Sequence, residues 1–385
     1  MMREKHFFPS IETLNELQTP CYIYNTALLQ QTLEIAKREA TKYGYEIHYA
    51  IKANFNPRIL RQIASNGLGA DCVSGGEIQA ALDAGFDAAK IVYAGVGKAD
   101  WEIELALEKE IFCFNVESLA ELLVINELAE KRKQKARIAL RINPDVIANT
   151  HHHIVTGMKE SKFGINLDKL DAVLQLLPAL ENVMFEGIHF HIGSQITNLD
   201  NFYGLCLRVN EIQKQLASRK LLPRHVNLGG GLGVDYKLPE QNSIPDFAAF
   251  FQLFDKHLKH YNGQRIHFEL GRSLVAQCGM LLTKTLYVKE GSTKKFAIVD
   301  AGMTELIRPM LYQASHKIEN ISSDGALEVY DVVGPVCEST DCFAKAIALN
   351  VVSRHDLLVI YSAGAYGESM ASHYNCRKLR DVFFY

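Results

Sequence analysis

Ile47-His48-Tyr49-Ala50-Ile51-Lys52-Ala53-Asn54 is a short apolar run that ends in a lysine and a turn. Ile47–Ala50 has the length and character of a buried strand. A lysine just past the strand's C-terminal end points into whatever cleft that end opens on. A partly desolvated amine loses its proton more easily and becomes a nucleophile toward an aldehyde. Taken alone the signal is weak, because most lysines are solvated surface charges. Its weight depends on what stands at equivalent places further along.

Working outward, short apolar runs alternate with longer amphipathic stretches, the pattern of βα units and a parallel sheet. The runs are Ile47–Ala50, Gly69–Asp71, Ile91–Tyr93, Phe112–Asn115, Arg137–Ile142, Phe185–His191, His225–Leu228 and Ile266–Glu269. Helices are expected over Pro57–Ser65, Glu77–Ala84, Trp101–Glu108, Ser118–Lys131, Leu167–Leu177, Phe202–Leu216 and Phe247–Tyr261, several opened by a capping Ser, Asn or Asp. Eight repeats over roughly 230 residues suit a TIM (β/α)8 barrel, typically about 250 residues. A doubly wound open sheet is the alternative and usually has fewer strands. After Glu269 the texture changes to strand-like runs, Met280–Val288, Lys295–Val299, Leu327–Val333, Cys342–Val352 and Leu357–Tyr361, separated by Gly, Asp, Asn and Ser. The expected fold class is therefore α/β plus β: a barrel over residues 32–270 and a mainly β domain from residues 1–31 and 271–385. Pro20–Tyr24 reads as a strand that could join that β domain, followed by a helix over Thr26–Tyr43.

Composition sets few limits. The 385 residues are 48% hydrophobic, with 41 basic against 44 acidic side chains and a net charge of -3. No basic face announces nucleic acid, no 18-residue apolar run suggests a membrane span, and Met1–His6 leads into no signal-peptide core. The eight cysteines are scattered without a CxxC pair, as suits reduced thiols and a cytoplasmic location. His151-His152-His153 could suggest a metal, but three adjacent histidines cannot all face one ion in regular structure, so no metal is expected.

Barrel enzymes place their chemistry at the C-terminal strand ends. Those ends carry Lys52, Asp71, Arg141, His191, the run Gly229-Gly230-Gly231-Leu232-Gly233, and Glu269. Each has a plain structural alternative: Asp71 as a helix cap, Arg141 paired with a surface acid, His191 as a satisfied core histidine. Convergence of all of them on one rim is hard to produce by coincidence. The glycine run lacks the third glycine of a dinucleotide fingerprint and the lysine of a Walker loop. After the seventh strand of a barrel, such a loop is expected to offer backbone N–H groups to a phosphate, helped by Ser194 and by Gly271-Arg272.

Taken together, Tyr49–Asn54, Phe190-His191-Ile192-Gly193-Ser194-Gln195, Gly229-Gly230-Gly231, Glu269-Leu270-Gly271-Arg272, Cys337-Glu338-Ser339-Thr340-Asp341 and Gly364-Ala365-Tyr366-Gly367 resemble the fold-type III pyridoxal-phosphate decarboxylases. The match runs from about Thr19 to Asn375 and is closest to the diaminopimelate decarboxylase branch. The resemblance implies an alanine racemase-like fold, pyridoxal 5'-phosphate as cofactor, and a homodimer whose active sites are shared. It makes Lys52 the lysine that condenses with the cofactor, His191 the side chain stacked on its ring, and Glu269 the partner of its pyridine nitrogen. Asp71, Arg141, Ser194, Gly230, Gly231, Gly233, Gly271, Arg272 and Tyr366 complete the cofactor set. Cys337 would return a proton after decarboxylation, and Glu338 would hold the substrate's distal ammonium. Arg308, with Tyr312, Arg272 and Tyr366, resembles the clamp for a distal carboxylate, which implies conversion of meso-2,6-diaminopimelate to L-lysine and CO2. Leu270, where the family usually has proline, and Glu368, where an apolar residue is common, depart from its pattern. The alternatives are a racemase, a decarboxylase of a carboxylated polyamine or other basic amino acid, and a non-catalytic pyridoxal-phosphate carrier. Cys337, standing where a racemase needs a tyrosine base, favours decarboxylation, and the β domain argues against a carrier.

Overall fold

The computed structural model describes residues 8–145, 161–379 and 381–385; the triplet His151–His153 lies outside them. The chain divides into two compact units. One comprises Leu33–Gly233 and Asp246–Gly271. Eight strands close into a barrel there: β2 (Glu46–Ala50), β3 (Gly69–Cys72), β4 (Ile91–Tyr93), β5 (Cys113–Val116), β6 (Ala136–Arg141), β7 (Val183–His189), β8 (His225–Asn227) and β9 (Arg265–Leu270). All neighbours are parallel, and β9 returns to β2 with Glu46 opposite His267 and His48 opposite Glu269. The TIM barrel expected from the alternation is thus present. The strand expected to reach His191 stops at His189, so His191 lies on the loop beyond it.

Local signals set the helices between the strands. Pro57–Ser65 starts on Asn56, whose side chain accepts from the Arg58 N–H, with Pro57 in the first turn, where its missing N–H is no loss. It buries Ile59, Leu60 and Ile63. Ser74 and Ser118 cap the helices Gly75–Asp83 and Leu119–Lys131 in the same way. Outside the barrel wall, Phe250, Phe251 and Phe254 meet Phe268 of β9 with ring centroids 5.5, 5.1 and 4.9 Å apart, edge to face. Burying each such ring stabilises the fold by about 1.5–3 kcal/mol. Inside the barrel, polar side chains meet across the lumen. Glu269 on β9 bonds to Asn115 on β5, strands that are not neighbours, so this bond crosses the lumen.

The other unit comprises Met1–Thr32, Val234–Pro245 and Arg272–Tyr385. Its eight-stranded sheet runs β12 (Ile318–Asn320), β15 (Leu357–Ile360), β10 (Gly279–Glu290), β11 (Lys295–Val299), β13 (Leu327–Val333), β14 (Cys342–Asn350), with β1 (Cys21–Tyr24) antiparallel to β10 and parallel to β16 (Phe383–Phe384). The N-terminal strand therefore joins the β domain, as the sequence suggested. Leu14, Cys21, Ile23, Met280, Leu282, Leu357, Val359 and Tyr361 form its core.

Candidate active site

β2 ends at Ala50 and the chain tightens through the 3-10 turn Ile51–Ala53. That turn sets the Lys52 ammonium 3.5 Å from Asp71 Oδ2, with Lys52 42% exposed and Asp71 1%. The second carboxylate oxygen of Asp71 is buried with no hydrogen-bond partner among the described residues. Burial, then repulsion from Glu269, pushes the Asp71 carboxyl up, while Lys52 opposes the rise.

Glu269 accepts three hydrogen bonds at the rim. Its Oε1 accepts from Asn115 Nδ2 at 2.9 Å and Asn227 Nδ2 at 2.7 Å, and its Oε2 from His189 Nε2 at 2.9 Å. Burial works against its charge, but His189 and Lys52 outweigh it and hold the carboxyl well below its usual range. A carboxylate has about four lone-pair sites, so three donors leave one on Oε2 for a further donor.

His191 is half-buried on the loop after β7. Its Nδ1 accepts from the Gly230 N–H at 3.3 Å. Burial, then Arg141 and Lys52, push its pKa far down, so the ring is neutral and presents an uncharged face. Arg141 is committed to a buried pair with Glu117 at 2.6 Å, and Glu117 also accepts from the N–H groups of Gly95 and Gly164 at 3.0 and 2.9 Å.

The glycine run is shaped as much by packing as by any ligand. A Cβ on Gly230 would stand 2.0 Å from the Glu269 carbonyl oxygen, and one on Gly229 2.2 Å from that of Phe190. Gly231 has φ +112 and would meet the Gly193 carbonyl at 2.7 Å. The row of bare N–H groups expected from the sequence is mostly engaged: Gly229 donates to Asn227, Gly230 to His191 and Gly233 to the Ile196 carbonyl. Among the described residues the Gly231 N–H has no acceptor. Ser194 is half-buried nearby in sequence. Gly271 closes β9 against Ala50 and Ala53, either of which a Cβ would meet at 3.1 Å. Leu270 is a buried strand residue opposite Tyr49. Oxygen, N–H and ring groups of this set could hold a flat, charged heteroaromatic ring bearing a phosphate.

Within the β unit, a second cluster is cationic. Arg272 and Arg308, 7% and 5% exposed, both donate to the Tyr236 hydroxyl, at 2.6 and 3.0 Å. Burial favours the neutral phenol, but the two guanidinium groups pull the Tyr236 pKa below its usual value. Arg308 also donates to His316 Nε2 at 3.0 Å. No carboxylate lies within 4.0 Å of Arg308 among the described residues. The Arg272 guanidinium lies 4.9 Å over the ring of Tyr366, and Tyr312 ends the short helix Arg308–Tyr312. Cys337 and Glu338 are exposed; Cys337 N–H donates to Asn375 and Glu338 accepts from Tyr374 at 2.7 Å. Glu368 accepts from the Tyr24 hydroxyl at 2.7 Å, which gives that unusual acid a structural partner.

Sequence reading missed Asn115, Glu117, His189 and Asn227 around the rim, and Tyr236 and His316 around the arginines. Asn227 carried a usable signal, being a polar residue in a buried strand two places before a glycine run. No helix among the described residues is long and apolar enough to cross a membrane.

The family described as pyridoxal-dependent decarboxylase, pyridoxal binding domain, matches residues 28–276. The diaminopimelate decarboxylase of Bacteroides thetaiotaomicron is 57% identical over 376 residues, covering 97% of each chain. The crystal structure of diaminopimelate decarboxylase from Helicobacter pylori complexed with L-lysine superposes with a TM-score of 0.90 at 40% identity, covering 96% of this chain and 92% of that one. The M. jannaschii enzyme in co-complex with L-lysine gives a TM-score of 0.88 at 33% identity over 98% of this chain and 89% of that one. With the family match spanning the barrel and these relatives spanning nearly the whole length, the chain belongs to the pyridoxal-dependent decarboxylases and, within them, to the diaminopimelate decarboxylases.

Proposed function

We propose that this protein decarboxylates meso-2,6-diaminopimelate to L-lysine and CO2 with pyridoxal 5'-phosphate as cofactor, the last step of lysine biosynthesis. Beyond family membership, one observation carries the substrate reading: Arg308 is a buried cation held by Tyr236 and His316 with no carboxylate within 4.0 Å among the described residues. A buried cation without a counter-ion is costly, and a distal carboxylate on the ligand supplies one. Ornithine, arginine and their decarboxylation products offer a cation there instead.

The barrel residues fit the cofactor by their chemistry. The ionised, buried Glu269 keeps a lone pair for a protonated pyridine nitrogen, the neutral ring of His191 suits stacking on a heteroaromatic plane, and the Gly231 N–H suits a phosphate oxygen. In this reading Lys52 holds the group covalently through its amine, beside Asp71 and Arg141. Ser194, Gly230, Gly231, Gly233, Gly271, Arg272 and Tyr366 surround the phosphate. The N–H groups of Gly230 and Gly233 serve by fixing the loop, since both are bonded within the chain. When bound, pyridoxal phosphate supplies a sink for the electron pair left when CO2 departs. Glu269 contributes a fixed negative charge whose three donors keep it ionised. Asp71, with its carboxyl pushed up beside the Lys52 ammonium, can pass a proton to and from that amine. Arg308, Arg272 and Tyr312 hold the distal carboxylate and Glu338 the distal ammonium, so that the carboxyl at the other end is the one lost. Cys337 delivers the proton that replaces CO2 on the substrate carbon.

Cys337 and Glu338 are exposed on the isolated chain, which supports a homodimer in which they act with the partner's Lys52. Eight cysteines without a disulfide support a cytoplasmic location. Incubating the cofactor-loaded protein with meso-diaminopimelate tests the reaction: equimolar lysine and CO2 are expected. Turnover of L-ornithine or a carboxylated polyamine without turnover of meso-diaminopimelate would replace this reading with the neighbouring one on the same fold.

A further inference from the structure

The strand starts of the barrel, at the opposite end of β2 from Lys52, hold a group of side chains that this reaction does not use. His48 and His267 are 2% and 1% exposed. His48 Nδ1 lies 3.0 Å from the Lys90 carbonyl oxygen, and His48 Nε2 lies 3.0 Å from His267 Nδ1. A carbonyl only accepts, so His48 carries its proton on Nδ1 and turns its Nε2 lone pair toward His267. His267 Nε2 lies in turn 2.9 Å from His225 Nδ1. Room for His48 is built into the strand beside it, since a Cβ on Gly69 would stand 2.4 Å from His48 Nδ1.

A chain of neutral imidazoles can be a self-satisfied core feature, but two further observations point to a ligand. Glu46 Oε2 lies 3.8 Å from His267 Nδ1 while its other oxygen faces Arg265 at 3.4 Å. The ligand atoms of Glu46, His48 and His267 all fall within 4.8 Å of one another. A cavity of 380 Å³ lined by Glu46, His48, Phe112 and Arg265 opens beside them, leaving space for water or an exogenous ligand.

We propose that Glu46, His48 and His267 form a binding site for a divalent transition-metal ion of the zinc class. Two imidazoles and one carboxylate with an open side suit such ions, whereas calcium and magnesium prefer oxygen donors alone. The outer partners are already in place: a ligating histidine ordinarily donates its second ring N–H to a carbonyl or comparable acceptor. His48 does so to Lys90. His267 does so once its proton moves from Nδ1 to Nε2, donating to His225 Nδ1 as the His225 proton moves to its own Nε2. Both rings stay neutral through the exchange, so the ion displaces a hydrogen bond and no net proton. Metal–nitrogen bonds of about 2.0–2.1 Å require the two ring nitrogens to part by a few tenths of an ångström and turn their lone pairs to a common point, and the Glu46 carboxylate, 3.8 Å from His267 Nδ1, to move in.

The test uses the full-length protein after chelator treatment, titrated calorimetrically with Zn²⁺, with visible absorption of bound Co²⁺ as a second readout. Three variants accompany it: Glu46→Gln, His267→Gln, and the triple change His151→Ala, His152→Ala, His153→Ala, which removes the histidine triplet as a competing binder. One equivalent bound per chain is expected, unchanged in the triple variant, weakened by at least about tenfold in Glu46→Gln and abolished in His267→Gln. Glu46 is 39% exposed, so Glu46→Gln decides the matter if His267→Gln does not fold. Absence of binding in the parent protein, affinity unchanged in Glu46→Gln, or loss confined to the triple variant would overturn the proposal.

Discussion

Replacing Arg308 by alanine separates substrate recognition from cofactor chemistry. The guanidinium is aimed by the Tyr236 hydroxyl and His316 Nε2, each at 3.0 Å, and lies 5.1 Å over the Tyr236 ring. His316 Nδ1 donates to the Tyr361 carbonyl at 2.8 Å, so Nε2 accepts from Arg308 and the imidazole is neutral. These partners orient the positive charge without neutralising it, which leaves that role to the substrate's distal carboxylate. Breaking a buried charge pair of this kind costs about 3–5 kcal/mol. At 1.4 kcal/mol per factor of ten, kcat/KM for meso-diaminopimelate should fall by roughly 10²–10⁴-fold. Tyr236 keeps its 2.6 Å bond from Arg272, and the folded variant sheds a buried charge, so the unfolding free energy read from urea titration should change by no more than about 1 kcal/mol. Steady-state kinetics on the loaded enzyme, with the absorbance of the bound cofactor as control, reads both effects. A drop below about tenfold, or loss of the cofactor itself, would refute the assignment of Arg308 to the substrate's far end.

Gly230→Ala places a Cβ 2.0 Å from the Glu269 carbonyl oxygen; overpacking of this sort typically costs about 1–3 kcal/mol, and an unchanged urea midpoint would show that the loop yields freely. His316, facing Arg308, Arg272, Tyr236 and Tyr361, has its pKa lowered from 6.5 to about 3, by burial first and then by Arg308. Below pH 6.5 the unfolded chain binds a proton that the folded chain refuses. This effect is absent above pH 6.5 and removes about 1.4 kcal/mol of stability per pH unit on descending toward pH 3. His316→Gln should therefore flatten the fall in urea midpoint between about pH 6.5 and 5, and identical slopes in the two proteins would contradict the point. Lys52→Ala and Cys337→Ala, each inactive alone, should recover activity when mixed and reassociated; no recovery in verified mixed dimers would place both residues in the same chain's site.

The barrel was legible because each strand is a short apolar run and each helix carries its own start signal, as at Asn56-Pro57 or Ser118. What escaped depended on tertiary partners. The helix expected over Phe247–Tyr261 ends at His257, where Asn210 of another helix accepts from the Lys259 N–H and donates to the His257 carbonyl. That cap is invisible in the local sequence. Ile318–Asn320 and Phe383–Phe384 are strands only because β15 and β1 offer them edges. The rim residues Lys52, Asp71, His191 and Glu269 could be named because chemistry in this fold gathers where strands end. Asn115, His189 and Asn227, which bond Glu269, are strand residues whose inward direction depends on register across the barrel. Tyr236 and His316, which hold Arg308, sit far apart in sequence on segments that gave no periodic signal.

Borohydride reduction of the cofactor-loaded protein, followed by peptide mass mapping, tests most directly whether the chemistry is centred on Lys52. The expected result is one pyridoxyl adduct per chain, on Lys52, and none in folded Lys52→Ala. An adduct on a different lysine, or equal labelling of Lys52→Ala, would contradict it.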